Sequence, residues 1–162
     1  MSIATGVGGP RGIAVDSNNA YWTDFIGNTV SSAPLGGVDG GGTILVSGQA
    51  GPLSIVVDSM NVYWTNLDGQ SIMGAPIAGG GGDFGVYGTS LPQTLFGLAR
   101  FGGELYFADE SNNGSVMKVG TNGQGETLLS FGEQGPQVLT ADANAVYWID
   151  SLDGEVCELT PN

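Results

Sequence analysis

A tyrosine followed by a second aromatic recurs four times in this chain of 162 residues, as Tyr21-Trp22, Tyr63-Trp64, Tyr106-Phe107 and Tyr147-Trp148. Successive copies stand 42, 43 and 41 residues apart. A period in the low forties suits a four-stranded propeller blade. Composition agrees: 30 glycines and 12% charged residues argue against helix, since Gly is about 1 kcal/mol worse than Ala inside one. A hydrophobic fraction of 41% is too high for a disordered chain, so the glycines read as turns between many short strands.

The rest of each unit follows in register. Five residues before each Tyr stand Asp16, Asp58, Phe101 and Asp142, ending the short apolar runs GIAVD, SIVVD, GLARF and VLTAD. Each run is expected to be the innermost strand of its blade, buried on both sides. Asn- and Gly-rich pieces (SNNA, SMNV, GGEL, ANAV) make the first hairpin turn. The second strand carries the aromatic pair. A turn at Gly27, Gly69, Gly114 and Gly154 leads to a third strand with Val30, Ile72, Val116 and Val156 at one step. Fourth strands follow at TILVSG and ETLLSFG, while GGGGDFGVYGTSLPQT in the second unit reads as a poor edge strand with an elaborated loop.

The fourth unit stops after its third strand. Ile3-Ala4-Thr5-Gly6 before Gly9-Pro10 aligns with Leu45-Val46-Ser47-Gly48 before Gly51-Pro52, 42 residues on. The chain is therefore expected to be an all-β, four-bladed β-propeller with four antiparallel strands per blade, in one domain over residues 1–162. Its blades run approximately over 10–51, 52–94, 95–135, and 136–162 plus 1–9, the N-terminal strand completing the last. Such closure covers a blade face and pairs an edge strand. A monomer avoids the entropy of association and is the closure expected. The alternative is a homodimer whose N-terminal strands are exchanged, giving an eight-bladed ring.

The repeat resembles the YWTD family of β-propellers, the class B repeats of low-density-lipoprotein receptors. The resemblance rests on Tyr21-Trp22-Thr23-Asp24 intact and on Tyr63-Trp64-Thr65-Asn66, Tyr106-Phe107-Ala108-Asp109 and Tyr147-Trp148-Ile149-Asp150 as variants. It covers essentially the whole chain and departs in count, since that family's propellers have six blades. The short, Gly-rich format also looks like bacterial propeller repeats. The resemblance implies a binding scaffold, with the motif a structural signature rather than an active site.

Charge and residue usage narrow the function. Net charge is −13, with basic groups only at Arg11, Arg100 and Lys118. No nucleic-acid partner is expected, because phosphate binding needs several Lys or Arg, and attraction to an anionic membrane fails likewise. A single cysteine, Cys157, leaves no intrachain disulfide and no cysteine zinc cluster. With no histidine in the chain, Ser-His-Asp and Cys-His catalysis and imidazole metal sites are excluded. MSIATGVGG lacks the charged and apolar regions of a leader, and no stretch is apolar for long enough to span a membrane. A soluble chain is expected, its compartment left open; it could be the mature part of an exported protein.

What recurs in every blade reads as scaffold. Asp24, Asn66, Asp109 and Asp150 are expected to hold the turn after the second strand, the Trp residues to pack between blades, and Cys157 to be a small buried hydrophobe. Asp109-Glu110-Ser111-Asn112-Asn113-Gly114 mimics the start of a calcium loop, but its twelfth position is Gly120, so a plain turn is preferred. Asp16, Asp58 and Asp142 end three inner strands. They serve either as turn initiators, the preferred reading, or as oxygen ligands to a hard cation such as calcium. Arg100 occupies an inner-strand step held elsewhere by Val15, Val57 and Ala141. It is read either in a structural ion pair, with Glu104 or an aspartate, or as an anion contact. Arg100, Phe101, Asp16, Asp58 and Asp142 form the candidate ligand-binding set, with no catalytic residue and no cofactor assigned. The function expected is a non-enzymatic propeller that binds a small ligand, glycan or protein through its loops. The alternatives are a metal-dependent lyase or lactonase and an assembly unit of a larger propeller.

Overall fold

A computed structural model describes residues 2–37, 42–88, 94–111 and 113–160. The chain divides into two compact units, Met1–Gly85 and Val86–Asn162. The first unit holds a sheet of β1 (Pro10–Val15), β2 (Asn19–Asp24), β3 (Thr29–Pro34) and β4 (Thr43–Ser47), ordered β1-β2-β3-β4. The next sheet, ordered β5-β6-β7-β8, has β5 (Pro52–Val57), β6 (Asn61–Asn66), β7 (Ser71–Pro76) and β8 (Phe84–Gly88). In the second unit β9 (Leu95–Phe101), β10 (Glu104–Asp109), β11 (Ser115–Gly120) and β12 (Thr127–Phe131) form a third sheet in sequence order. A fourth contains β13 (Pro136–Ala141), β14 (Val146–Asp150) and β15 (Glu155–Leu159), ordered β13-β14-β15. Neighbouring strands run antiparallel, and these meanders are four β-propeller blades.

Alternation along the aromatic strand builds the core. In β2, Tyr21 and Thr23 face one side of the sheet and Ala20 and Trp22 the other, as the period of two requires. The first unit's core is the seam between its blades: Tyr21, Val30 and Val46 of one meet Ile55, Val62, Trp64 and Ala75 of the next. The second unit repeats it with equivalent residues. Ala99, Tyr106, Ala108 and Val116 of the third blade meet Leu139, Val146 and Trp148 of the fourth. Each blade therefore has a trailing face, carrying the Tyr, and a leading face, carrying the Trp.

Three sequence expectations need comment. The inner strands are not uniformly buried: β9 is buried at Leu95, Gly97, Leu98 and Ala99, β1 at none of its residues. In β1 the alternate residues Gly12 and Ala14 are half-buried while Pro10, Arg11, Ile13 and Val15 are exposed, whereas β2 is buried from Ala20 to Asp24. An inner strand has a sheet neighbour on one edge only; the aromatic strand has one on both, and continuous apolar sequence in the former reflects β-propensity as much as burial. The second blade's last strand does form, as β8, with Val86 and Tyr87 buried; the rest of its loop, 89–93, lies outside the described residues. Finally, Ile3–Gly6 carry no strand pairing in this structure, and the fourth sheet has three strands. Ser2 Oγ donates to the Ala4 carbonyl at 2.7 Å, and Gly6 has φ +75°, close to the +74° of Gly48 after β4.

Candidate functional site

The aspartates that end the aromatic strands are tied to the connection entering the same blade. Asp24 Oδ2 accepts the Gly8 amide at 2.9 Å, and its Oδ1 accepts those of Gly9 and Gly27, both at 2.8 Å. Asp109 Oδ1 accepts from Thr94 N at 3.0 Å and Ser111 N at 2.9 Å. Asp150 Oδ2 accepts from Gln134 N at 2.6 Å. Burial pushes the Asp24 carboxyl up, but the amides of Gly27, Gly8, Gly9 and Ile26 outweigh it and hold the group below the usual carboxylate range. These carboxylates are therefore blade staples, as their recurrence indicated.

Asp16 and Asp58, of the candidate ligand set, cap their own hairpins. Asp16 Oδ1 accepts the amides of Asn18 and Asn19, both at 2.7 Å, and its Oδ2 accepts Tyr21 Oη–H at 2.7 Å. Asp58 repeats this with Met60 N at 2.8 Å, Asn61 N at 2.7 Å and Tyr63 Oη at 3.2 Å. In the second unit Asp142 Oδ1 accepts Asn144 N at 2.8 Å and Ala145 N at 3.0 Å. The Asn18 amide, then Tyr21 and the Asn19 amide, lower the Asp16 carboxyl; the amides of Asn144 and Ala145 do so for Asp142. Tyr21 is pushed up by burial and by Asp16. Among the described residues no three acidic or thiol groups gather where they could hold a metal ion.

The third blade departs from this pattern. Where the others have Asp, β9 ends in Phe101, 41% exposed, next to half-buried Arg100. Without the carboxylate cap, the hairpin turns on Gly102 and Gly103 at φ +61° and +94°, a pair of positive angles that suits a tight type I′-like turn and that glycine adopts without strain. Phe101 pairs with Glu104 across the ladder and Arg100 with Leu105. Phe101 and Arg100 are consecutive on β9, so their side chains leave opposite faces of the sheet.

Sequence reasoning missed the acceptors of the indole N–H groups. Trp64 Nε1 donates to Gln49 Oε1 at 3.0 Å and Trp148 Nε1 to Glu133 Oε2 at 2.8 Å. Both acceptors stand three residues before a strand-opening proline, Pro52 and Pro136, a spacing legible in the repeat. Cys157 is half-buried rather than buried, and burial, then Glu133 and Glu155, raise its thiol above the ordinary range. In the first unit a cavity of about 660 Å³ lies over Ile13, Ala20 and Trp22, roofed by residues 2–7.

No family model and no curated protein sequence matches the chain. Solved structures of similar fold do. The nidogen/laminin complex aligns with TM-score 0.69 at 17% identity over 93% of this chain and 75% of that one. A catalytically inactive histidine-to-alanine variant of virginiamycin B lyase from Staphylococcus aureus, with quinupristin, aligns with TM-score 0.74 at 19% identity over 99% of this chain. The chain spans 58% of that lyase's length. The computationally designed protein Ika4 aligns with TM-score 0.72 at 16% identity over 99% of this chain and 96% of its own. At these identities the likeness is one of fold, shared by a protein of a binding complex and by a lyase. Among the described residues no helix is long and apolar enough to cross a membrane.

Proposed function

We propose that this chain is a non-enzymatic binding scaffold that takes a ligand or protein partner at the β9–β10 hairpin, Phe101 supplying an apolar contact and Arg100 an anion contact. The observation carrying this reading is the exposed Phe101 at the step where the other blades place a turn-capping aspartate. A blade that surrenders its cap and leaves an aromatic in water has a feature the fold does not require. Asp16, Asp58 and Asp142 are engaged by their own turns, and on this reading they shape an acidic surround rather than grip a cation. Calcium and a chelator should then leave the melting temperature unmoved. The lyase-like fold offers little to catalysis here: a histidine-to-alanine change inactivates that enzyme, and this chain has no histidine.

The test is a titration with benzoate, indole-3-acetate and a panel of short peptides carrying aromatic and acidic residues, followed by backbone amide NMR. Shifts centred on residues 100–104, lost in Phe101→Ser and weakened in Arg100→Met, are expected. Amide shifts elsewhere only, or binding unchanged in Phe101→Ser, would sink the assignment.

A further inference from the structure

In the first two blades three steps of the inner hairpin close on one another. Asp16 Oδ2 accepts Tyr21 Oη–H at 2.7 Å, and Asn19 Nδ2 donates to the same phenolic oxygen at 3.4 Å. Asp58, Asn61 and Tyr63 repeat the arrangement, with both contacts at 3.2 Å. The tyrosine hydroxyl thus donates to a carboxylate and accepts from a side-chain nitrogen, and a ring buried in the blade keeps a satisfied polar tip.

The third blade keeps the tyrosine and changes both of its partners. Phe101 stands at the aspartate step and Glu104 at the asparagine step, and the two pair across the ladder. Residues directly opposite share a face of the sheet, and so does Tyr106, two steps beyond Glu104. Tyr106 is 7% exposed, and among the described residues its hydroxyl has no hydrogen-bond partner. Glu104 is half-buried, and its carboxylate joins no hydrogen bond or ion pair among those residues. Burial, then the Glu104 charge, push the Tyr106 hydroxyl up, which puts the two tips within electrostatic reach of each other. Arg100 leaves the opposite face, so the polar groups beside Phe101 are Glu104 and Tyr106.

A donor nitrogen between these tips would satisfy both. We infer that the β9–β10 hairpin takes a primary alkylammonium group, which donates to Glu104 and to Tyr106 Oη while its methylene stem lies over Phe101. This rests on the hairpin being the binding site proposed above. The ammonium nitrogen stands where Asn19 Nδ2 and Asn61 Nδ2 stand in the first two blades, and Glu104 supplies the carboxylate that Asp16 and Asp58 supply there. Charge chooses the class of ligand. Glu104 would repel a carboxylate at Tyr106 Oη, and the chain carries −13 overall, so its field favours a cation. A metal ion lacks ligands, because among the described residues no three acidic or thiol groups gather. An organic cation needs only one carboxylate, a hydroxyl and an aromatic face, and all three are here. Lys118, the chain's single lysine, lies opposite Tyr106 on β11 and makes no ion pair with Glu104.

The test is a backbone amide NMR titration of the intact chain with n-pentylamine and with Nα-acetyl-lysine N-methylamide, beside 1-pentanol and hexanoate as neutral and anionic controls. Both amines should shift the amides of residues 101–106, and the controls should not. The tighter of the two amines identifies the source of the ammonium, a free amine or a peptide lysine. Glu104→Gln and Tyr106→Phe, which preserve shape, should each weaken the amines, the first at least ~10-fold. Phe101→Asp/Glu104→Asn rebuilds the closed triad of the first blade and should bind neither amine while melting no lower than the native chain. Lys118→Met removes a like charge from the same face and should keep or tighten the binding. The inference is overturned if no amine shifts these amides, if 1-pentanol or hexanoate shifts them as strongly, or if Glu104→Gln binds the amines as the native chain does. In that last case Phe101→Ser separates the two readings. Amine shifts lost in Phe101→Ser would leave the hairpin as the binding site and remove only the ammonium assignment, whereas shifts that survive it would remove both.

Discussion

The indole of Trp64 and the amide of Asn66 converge on one atom, Gln49 Oε1, each donating to it at 3.0 Å. Gln49 is buried and donates in turn to Asp83 Oδ2 at 2.9 Å. A residue of the connection between the first two blades therefore satisfies two buried donors of the second. Gln49→Ala removes both acceptor contacts at once and strands a buried indole N–H and the Asn66 amide, which should cost about 2–6 kcal/mol at 1–3 kcal/mol per orphaned group. Denaturant unfolding measures it. A loss under 0.5 kcal/mol, roughly that of an indifferent surface change, would mean that water replaces the glutamine freely.

Asp24 makes stability depend on pH in a stated direction. Its folded-state titration lies below the unfolded value, so its contribution is fully present above that value and is lost as pH falls through the folded one. Asn is tolerated in the second blade because Asn66 has an acceptor to donate to. In the first blade, Asp24→Asn would aim its NH₂ at amides that are themselves donors, costing about 1–3 kcal/mol near neutral pH. The gap in melting temperature between the two proteins should close as pH drops below about 4, the ordinary aspartate value. A gap that stays constant down to strongly acidic conditions would show that the carboxylate charge is not what holds the connection.

The fold was legible because the repeat is redundant: four aromatic strands in register fix strand order, turn positions and the division of each blade into two faces. Burial was legible in part: the aromatic strands β2, β6 and β10 are buried along most of their length, whereas the inner strands range from the half-exposed β1 to the largely buried β9. The set Asp16, Asp58 and Asp142 looked like candidate ligands because spacing shows where a carboxylate sits, not which amides reach it; Asn18, Asn19 and Tyr21 are already there for Asp16. Phe101 stood out in sequence for the reason it stands out in structure, as a break in a pattern.

Gly97 should be hard to replace. A Cβ built there would run into the Gln137 carbonyl oxygen and the Leu139 side chain of the next blade. Gly12 meets the Leu53 carbonyl of the second blade in the same way. The carbonyl contacts are to backbone, so no side-chain rotation relieves them. Gly97→Ala should lose about 1–3 kcal/mol through overpacking, while Gly85→Ala, which meets nothing nearby, should change stability little. Thermal melts of the pair decide it; equal melting temperatures would mean that the seam yields by sliding.

Cys157 provides a chemical readout of the last blade. Its thiol is half-buried and raised first by burial, then by the neighbouring carboxylates Glu133, Glu155, Asp150 and Asp153. The thiolate is the reactive form, so at pH 7 the folded protein should react with a disulfide reagent such as DTNB more slowly than an unfolded control. The rate should climb about tenfold per pH unit up to and beyond pH 9, because the thiolate fraction rises in that proportion below the folded pKa. Glu133→Gln removes one of the charges that raise the thiol while keeping an amide oxygen able to accept from Trp148 Nε1, as Gln49 does from Trp64. It should therefore bring the rate profile to lower pH and leave tryptophan emission largely unmoved. A native rate equal to that of the unfolded chain across the whole range would show that neither burial nor charge acts on this sulfur.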